Sequence, residues 1–389
     1  MKNFFVSKLI PLFTLSAFLI FMMSGSGAYG VLADKPSDAR ELTVFEKIQA
    51  ALGMNERIAS ETVSGGLADQ ILNGDWPEFE AGVVSGLDLS DTESLRVKVY
   101  NTETDTTQEM YLEEYIMGVV CAEMYLYVDI EALKAQAVAA RSYTLHRIGD
   151  TDTHKDGAIV CTDHTHCQAW KDPRSILKTY TGAEKQKGID YYNKLKEAVE
   201  STKGIVATYQ GKIINALYFS HSGSGRTEDI GDVWAGCQYD YLQSVLSPGE
   251  GLFDQYCDTF VYTPEELLSK FRAKGYDLSV SADELYKSIR DIRRSEAGRI
   301  IEMKIGDRTF AGIAVRSILN LRSTNIMFRK LEDGTILLVT LGYGHGIGMS
   351  QWGAAAMAAA GADYTEILKH YYTGVTVEWM SEDELLSLR

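Results

Sequence analysis

Apolar residues open the chain as a block. Leu9–Met23 is interrupted only by Pro11, Thr14 and Ser16, and Phe4, Phe5 and Val6 extend it toward the N-terminus. Its 15 residues fall short of the about 20 that a bilayer span needs, and the extension makes up the length. Lys2 and Lys8 flank it on one side, and the next charges, Asp34 and Lys35, come well after it. The positive-inside rule then leaves the N-terminus in the cytoplasm and the bulk of the chain outside. The small polar run Ser24–Ala28 that follows suits either a signal-peptidase site or an interfacial linker. With no A-x-A pattern there, residues 1–30 read as a retained single-pass anchor in the cell membrane.

The pattern then changes by region. Residues 31–90 mix short helical stretches (Ala39–Leu52) with Ser64-Gly65-Gly66 and Ser85-Gly86, and read as an extracytoplasmic spacer. Leu95–Tyr100 alternates and carries β-branched residues, which predicts a strand. Glu113–Glu123 returns to helical spacing, with Tyr115, Val119 and Ala122 on one side. Ile130–Arg147 is the clearest helix: Asp129 sits at the N-cap position, and Ala132, Ala135, Ala137, Ala139 and Ala140 favour helix and permit close packing. Thr263-Pro264-Glu265-Glu266 opens another helix that Gly275 ends. Between Arg299 and Val339, β-rich runs joined by Gly306-Asp307 and Asp333-Gly334 predict hairpins. The fold class is α+β: a helix-bearing catalytic region over 91–389 with mixed β-hairpins and a second, smaller lobe near 250–330, preceded by one N-terminal membrane helix.

Composition narrows the function classes. The 389 residues are 45% hydrophobic and 24% charged, as in folded globular proteins, which excludes a disordered, fibrous or multi-span membrane chain. A net charge of −16 argues against nucleic acid as a partner, since that needs a broad positive field. Five cysteines are too few for a disulfide scaffold.

Four segments offer chemistry. Glu123 lies among Cys121, Met124 and Tyr125, soft and apolar surroundings that raise a carboxyl pKa and suit a general acid. Lys134 and Arg141, seven residues apart, share one helix face about 10 Å apart and read as a substrate-facing pair. A cation very close to Glu123 would lower its pKa, so at least one of them should face substrate instead. The second segment, His154…Cys161-Thr-Asp-His164-Thr-His166-Cys167, packs two cysteines and three histidines into 14 residues of a chain with seven His. Two thiolates and two imidazoles complete a tetrahedral zinc sphere, while a Cys161–Cys167 disulfide accounts for the same spacing equally well. Adjacent His166 and Cys167 cannot both chelate from regular helix, so this is loop.

The third segment runs from Tyr218 to Glu228, with Ser222, Arg226 and Thr227 as polar groups on a cleft floor after a strand over Ile213–Phe219; no G-x-S-x-G frame makes Ser222 a nucleophile. The fourth, Gly342–Gly353, is glycine-rich enough for close backbone approach to a ligand. It lacks the features of a phosphate or dinucleotide loop and presents His345 and Gln351.

Together the segments resemble one family, the stage II sporulation protein D family of endospore-forming bacteria. The resemblance spans about Val97 to Val377 and rests on Glu123-Met124, Glu131-Ala-Leu-Lys134-Ala-Gln-Ala…Ala-Ala-Arg141-Ser-Tyr-Thr144, Cys161…His166-Cys167-Gln168, Ser222-Gly-Ser-Gly-Arg-Thr227-Glu228 and Gly344-His-Gly-Ile-Gly-Met-Ser-Gln351-Trp-Gly353. It implies a membrane-anchored peptidoglycan lytic transglycosylase of engulfment, acting on glycan strands stripped of stem peptides. Glu123 would be its acid/base, and Lys134, Arg141, Tyr218, Ser222, Arg226, Thr227, His345 and Gln351 would line the substrate site. It also implies structural Zn²⁺ on His154, Cys161, His166 and Cys167, with His164 as an alternative fourth ligand. A peptidoglycan amidase and other engulfment proteins would be its partners.

One carboxylate suffices for such chemistry. Hydrolytic glycosidases use a carboxylate pair, whereas a lytic transglycosylase closes the muramic C6 oxygen onto C1 of its own sugar, with a high effective molarity. Two rivals remain at this stage: a non-catalytic amidase enhancer, and a zinc amidase, which needs an open metal position.

Overall fold

The computed structural model describes residues 95–148, 153–250 and 257–387. The expected membrane anchor over 1–30 and the spacer over 31–90 lie outside them. Among the described residues no helix is long and apolar enough to cross a membrane. The architecture mixes helices with several small sheets.

The chain starts as a hairpin, β1 (Arg96–Asn101) against β2 (Thr106–Tyr111), and runs straight into helix α1 (Leu112–Glu123). Helix α2 (Ile130–His146) follows, with the Asp129 carboxylate accepting from the Glu131 amide at 2.9 Å as an N-cap should. Its alanines let neighbours approach from every side: α2 packs against α1, α3 (Lys185–Glu200), β4 (Ile205–Tyr209), α7 (Gln351–Ala359) and α8 (Tyr364–Tyr371). Ala132 to Leu145 are buried, Lys134 excepted. The helix is therefore the axle of the main core and presents no broad face to solvent. Strand β3 (Val160–Cys161) joins β1 in parallel, pairing Tyr100 with Cys161.

The expected strand over Ile213–Phe219 breaks in two, β5 (Lys212–Ile213) beside β4 and β6 (Tyr218–Phe219) elsewhere. The Ile214 amide still donates to Ala207 of β4 at 3.1 Å, and the chain then leaves the sheet because the backbone of 215–217 is engaged by other partners, the Asn215 amide by the Tyr241 hydroxyl. The Leu217 carbonyl accepts from the Met349 amide at 3.1 Å and from the Tyr372 hydroxyl at 2.8 Å. Strand β6 then pairs in parallel with β13 (Met349–Ser350), setting Tyr218 opposite Met349.

Residues 257–341 build a separate hydrophobic cluster around Leu267, Phe271, Leu285, Met303, Phe310, Val315, Ile326 and Leu338. Helix α4 (Pro264–Ala273) opens with a full Thr263/Glu266 capping box, and α5 (Ala282–Ser288) and α6 (Gly312–Leu319) complete its helices. Two three-stranded antiparallel sheets carry them, in orders β10-β9-β8 and β11-β12-β7. Their strands are β7 (Cys257–Tyr262), β8 (Arg290–Arg294), β9 (Ile300–Ile305), β10 (Arg308–Ala311), β11 (Asn325–Lys330) and β12 (Ile336–Leu341). Both expected hairpins form, β9–β10 about Gly306-Asp307 and β11–β12 about Asp333-Gly334. Strand β14 (Thr376–Trp379) closes the main core on β4.

Arg299 ties the two clusters. Its buried guanidinium donates to the Gly344 carbonyl at 2.7 Å and the Ser222 carbonyl at 3.2 Å, and lies 3.5 Å from the Glu228 carboxylate.

Candidate active site and metal centre

Helix α1 ends at Glu123, and the extended backbone of Met124 turns the chain away. The Glu123 carboxylate is held from two sides: Oε1 accepts from the Ala169 amide at 2.8 Å, and Oε2 accepts from Gln351 Nε2 at 2.9 Å. Burial pushes its pKa above the ordinary value, and the two hydrogen bonds only partly offset that shift. Gln351 reaches it because the β6–β13 pairing starts α7 directly beside this helix end. Tyr218, from the same pairing, donates to Gln168 Oε1 at 2.8 Å and feels the Glu123 charge.

The structure thus brings Glu123, Gln351 and Tyr218 together. Of the other expected substrate residues, His345 meets the Tyr218 backbone, and the rest are engaged elsewhere. Arg141 is fully buried and grips Glu113 in a fork, Nε to Oε1 at 2.8 Å and Nη2 to Oε2 at 2.5 Å, with Nη1 on the Ile205 carbonyl at 3.0 Å. It cannot face substrate, because its donors are consumed inside the core. Lys134 pairs with Glu131 at 2.8 Å. With both cations neutralised elsewhere, neither counters the rise of the Glu123 pKa.

Ser222 is buried, its hydroxyl accepting from the Gly225 amide at 3.0 Å and its amide donating to Glu250 at 2.6 Å. Thr227 is buried on the Val245 backbone. Arg226 turns to Ser244 and Glu296. His345 packs between Phe219 and Trp234; burial and the nearby Arg299 push its pKa down to about 3, so it stays neutral.

Gly342 and Gly348 serve close backbone packing. A Cβ at Gly348 (φ +75°) would sit 2.1 Å from the Leu217 carbonyl oxygen, and one at Gly342 (φ +88°) 2.6 Å from that of Ser222. Two backbone loops interlock there at distances that no side chain permits.

The metal-type cluster lies on the segment that leads into Gln168 and Ala169. Ligand atoms of His154, Cys161, His166 and Cys167 all fall within 4.8 Å of one another. Strand β3 delivers Cys161, a turn in which the Cys167 amide donates to the Asp163 carbonyl at 2.8 Å brings Cys167 back, and His154 Nε2 stands 3.2 Å from Cys167 Sγ. The Cys161 thiol and the two imidazoles hold the Cys167 thiol well below its usual pKa, which favours the thiolate that ligates metal. His164 points to Asp163 and stands outside the group. All five cysteines are free thiols, Cys161 and Cys167 among them, and so are Cys237 and Cys257.

A stage II sporulation protein D of Bacillus amyloliquefaciens is 34% identical over 286 residues, covering 72% of this chain and 78% of that protein. The chain belongs to the stage II sporulation protein D family. The family model, described as stage II sporulation protein, matches residues 100–209, the stretch holding Glu123, α2 and the metal-type cluster. The stage II sporulation protein D of Bacillus subtilis (strain 168) is 32% identical with the same coverage of both chains. An amidase enhancer of Bacillus subtilis is 27% identical over 88% of this chain and 56% of its own length.

Two residues of this family member escaped the sequence reading. Gln168 is buried and spans Tyr218, Tyr115 (3.2 Å) and Thr144 (3.0 Å), and Ala169 supplies the amide on Glu123. Gln168 was visible only as a letter of the family motif, and a backbone donor at an alanine leaves no sequence signal at all.

Proposed function

We propose that the protein is a peptidoglycan lytic transglycosylase of sporulation engulfment, cleaving the β-1,4 bond between N-acetylmuramic acid and N-acetylglucosamine in peptide-stripped glycan. One observation carries the reading: the Glu123 carboxyl, its pKa raised by burial, is fixed by Ala169 and Gln351. The protonated Glu123 gives its proton to the bridging oxygen as the C1–O bond breaks. The resulting carboxylate then takes the proton of the muramic C6 hydroxyl, and that oxygen bonds to C1. Glu123 ends protonated as it began, and no water is consumed. Mass spectrometry of products from peptide-free glycan tests the reading: 1,6-anhydro ends are expected, and reducing ends only would overturn it.

The donor set of His154, Cys161, His166 and Cys167 fits Zn²⁺, which takes tetrahedral thiolate and imidazole ligands at about 2.0–2.3 Å. Bound there, the metal would brace the loop leading through Gln168 to the Ala169 amide. Native mass spectrometry of protein prepared without chelator is expected to show one zinc per chain, lost in Cys161→Ser; a metal-free wild type would remove this part. Four protein ligands leave no open position for a zinc amidase.

In this reading the N-terminal segment anchors the enzyme in the membrane, facing outward, beside a peptidoglycan amidase and other engulfment proteins. The identity to an amidase enhancer supports a second reading, a non-catalytic partner that stimulates an amidase. It predicts glycan binding and amidase stimulation without anhydro products.

A further inference from the structure

The mechanism above leaves unused the turn that follows Glu123. Burial alternates along it: Met124 and Val128 are anchored in the core at 7% and 4% exposure, while Tyr125 and Tyr127 stand out at 49% and 43%. The two rings lie together, centroids 5.5 Å apart, and both meet the indole of Trp352, Tyr125 at 5.3 Å and Tyr127 at 6.4 Å. Tilts of 32° to 45° relate the rings, and the buried Trp352 indole backs the two exposed tyrosines. The position of the three rings is set by the reactive pair. Tyr125 follows Glu123 by two residues, so their Cα atoms lie within about 7 Å by chain reach, and Trp352 is the residue after Gln351.

We infer that this trio is a sugar-binding subsite, on which one pyranose ring of the glycan strand lies face-down against Tyr125 and Tyr127 while its glycosidic bond reaches Glu123. The chemistry matches on both sides. A pyranose offers a flat face of C–H groups with hydroxyls at its rim. The trio offers aromatic faces with phenolic hydroxyls at the edge, an apolar body with a wet tip. Burying a ring face recovers apolar surface that the tyrosines now leave in water. The electrostatics point the same way, because Arg141 and Lys134 are already spent on Glu113 and Glu131. Uncharged aromatic contacts then share the task of holding an anionic glycan with Lys194, whose ammonium donates to the Val128 carbonyl beside Tyr127. The inference rests on Glu123 as the reacting group and adds what holds the substrate there.

The test separates the two claims by measuring binding where cleavage is silenced. In the Glu123→Gln full-length protein, binding of purified peptide-free glycan strands is compared with that of variants adding Tyr125→Ala/Tyr127→Ala or Tyr125→Phe/Tyr127→Phe. The double alanine change should weaken binding about tenfold or more, and the double phenylalanine change by no more than about twofold, since it keeps both faces. In the cleaving protein, the same alanine pair should raise KM more than it lowers kcat. Unchanged binding by the alanine pair overturns the subsite even if Glu123→Gln has abolished cleavage; cleavage surviving in Glu123→Gln overturns the proton donor while the binding comparison still reads the subsite. Both side chains are exposed, so melting temperatures should match the parent. If the pair does unfold, Tyr125→Ala alone gives the reading.

Discussion

Glu123→Gln is expected to lower the rate of glycan cleavage by about 10²–10⁴, the contribution of a positioned acid/base, with the fold intact. Glutamine keeps an oxygen for the Ala169 amide, and Gln351 can turn its own amide to accept where it now donates, so both 2.8–2.9 Å contacts survive without a proton to give. The pH profile follows from the direction of the shift. Burial holds the proton on Glu123 above the ordinary carboxyl value of 4.5, so the active acid form persists to higher pH and activity falls as pH rises through the folded-state pKa. Stability moves in the same sense. The contribution from this group is complete below the unfolded-state pKa and is lost as pH rises through the folded one. In Glu123→Gln that component of the stability profile should vanish. Turnover of peptide-free glycan at the wild-type rate by the variant would remove Glu123 from the reaction.

Local chemistry was readable from the chain, and long-range pairing was not. The N-cap of α2, the helix start at Thr263-Pro264 and the two turns of the hairpins depend on residues within a few positions, and all appear where the sequence places them. The surroundings of Glu123 were readable in kind: Met124 is buried, and desolvation dominates the carboxyl as the apolar neighbours imply. Its hydrogen-bond partner on α7 lies 228 positions away, beyond any periodicity. The packing partners of Gly342 and Gly348 were hidden for a related reason. Close backbone approach was the correct inference, but what approaches is the chain at Leu217 and Ser222, and sequence spacing does not distinguish a ligand from a distant loop. Helix α2 shows the same limit most sharply. A lysine and an arginine on a common face ordinarily mark a solvated surface, yet the partner of Arg141 sits 28 positions upstream on α1.

Arg141→Met should therefore behave as a folding mutation and not as a substrate-binding one. Removing the guanidinium leaves Glu113 without its counter-ion and the Ile205 carbonyl without its donor, a loss of about 3 kcal/mol for a broken buried pair. In a chain of this size that corresponds to a melting temperature lower by about 4–5 °C. Glu113 retains 17% exposure, so water relieves part of the strain and keeps the loss toward the lower end. Replacing both partners, Arg141→Met with Glu113→Leu, should recover much of the stability, because two apolar side chains of similar volume need no counter-charge. Below its melting transition the single variant should show wild-type KM for peptide-free glycan, since Arg141 touches Glu113 and the backbone and no open surface. A variant that melts with the wild type but binds glycan poorly would reverse this assignment and return the arginine to the substrate.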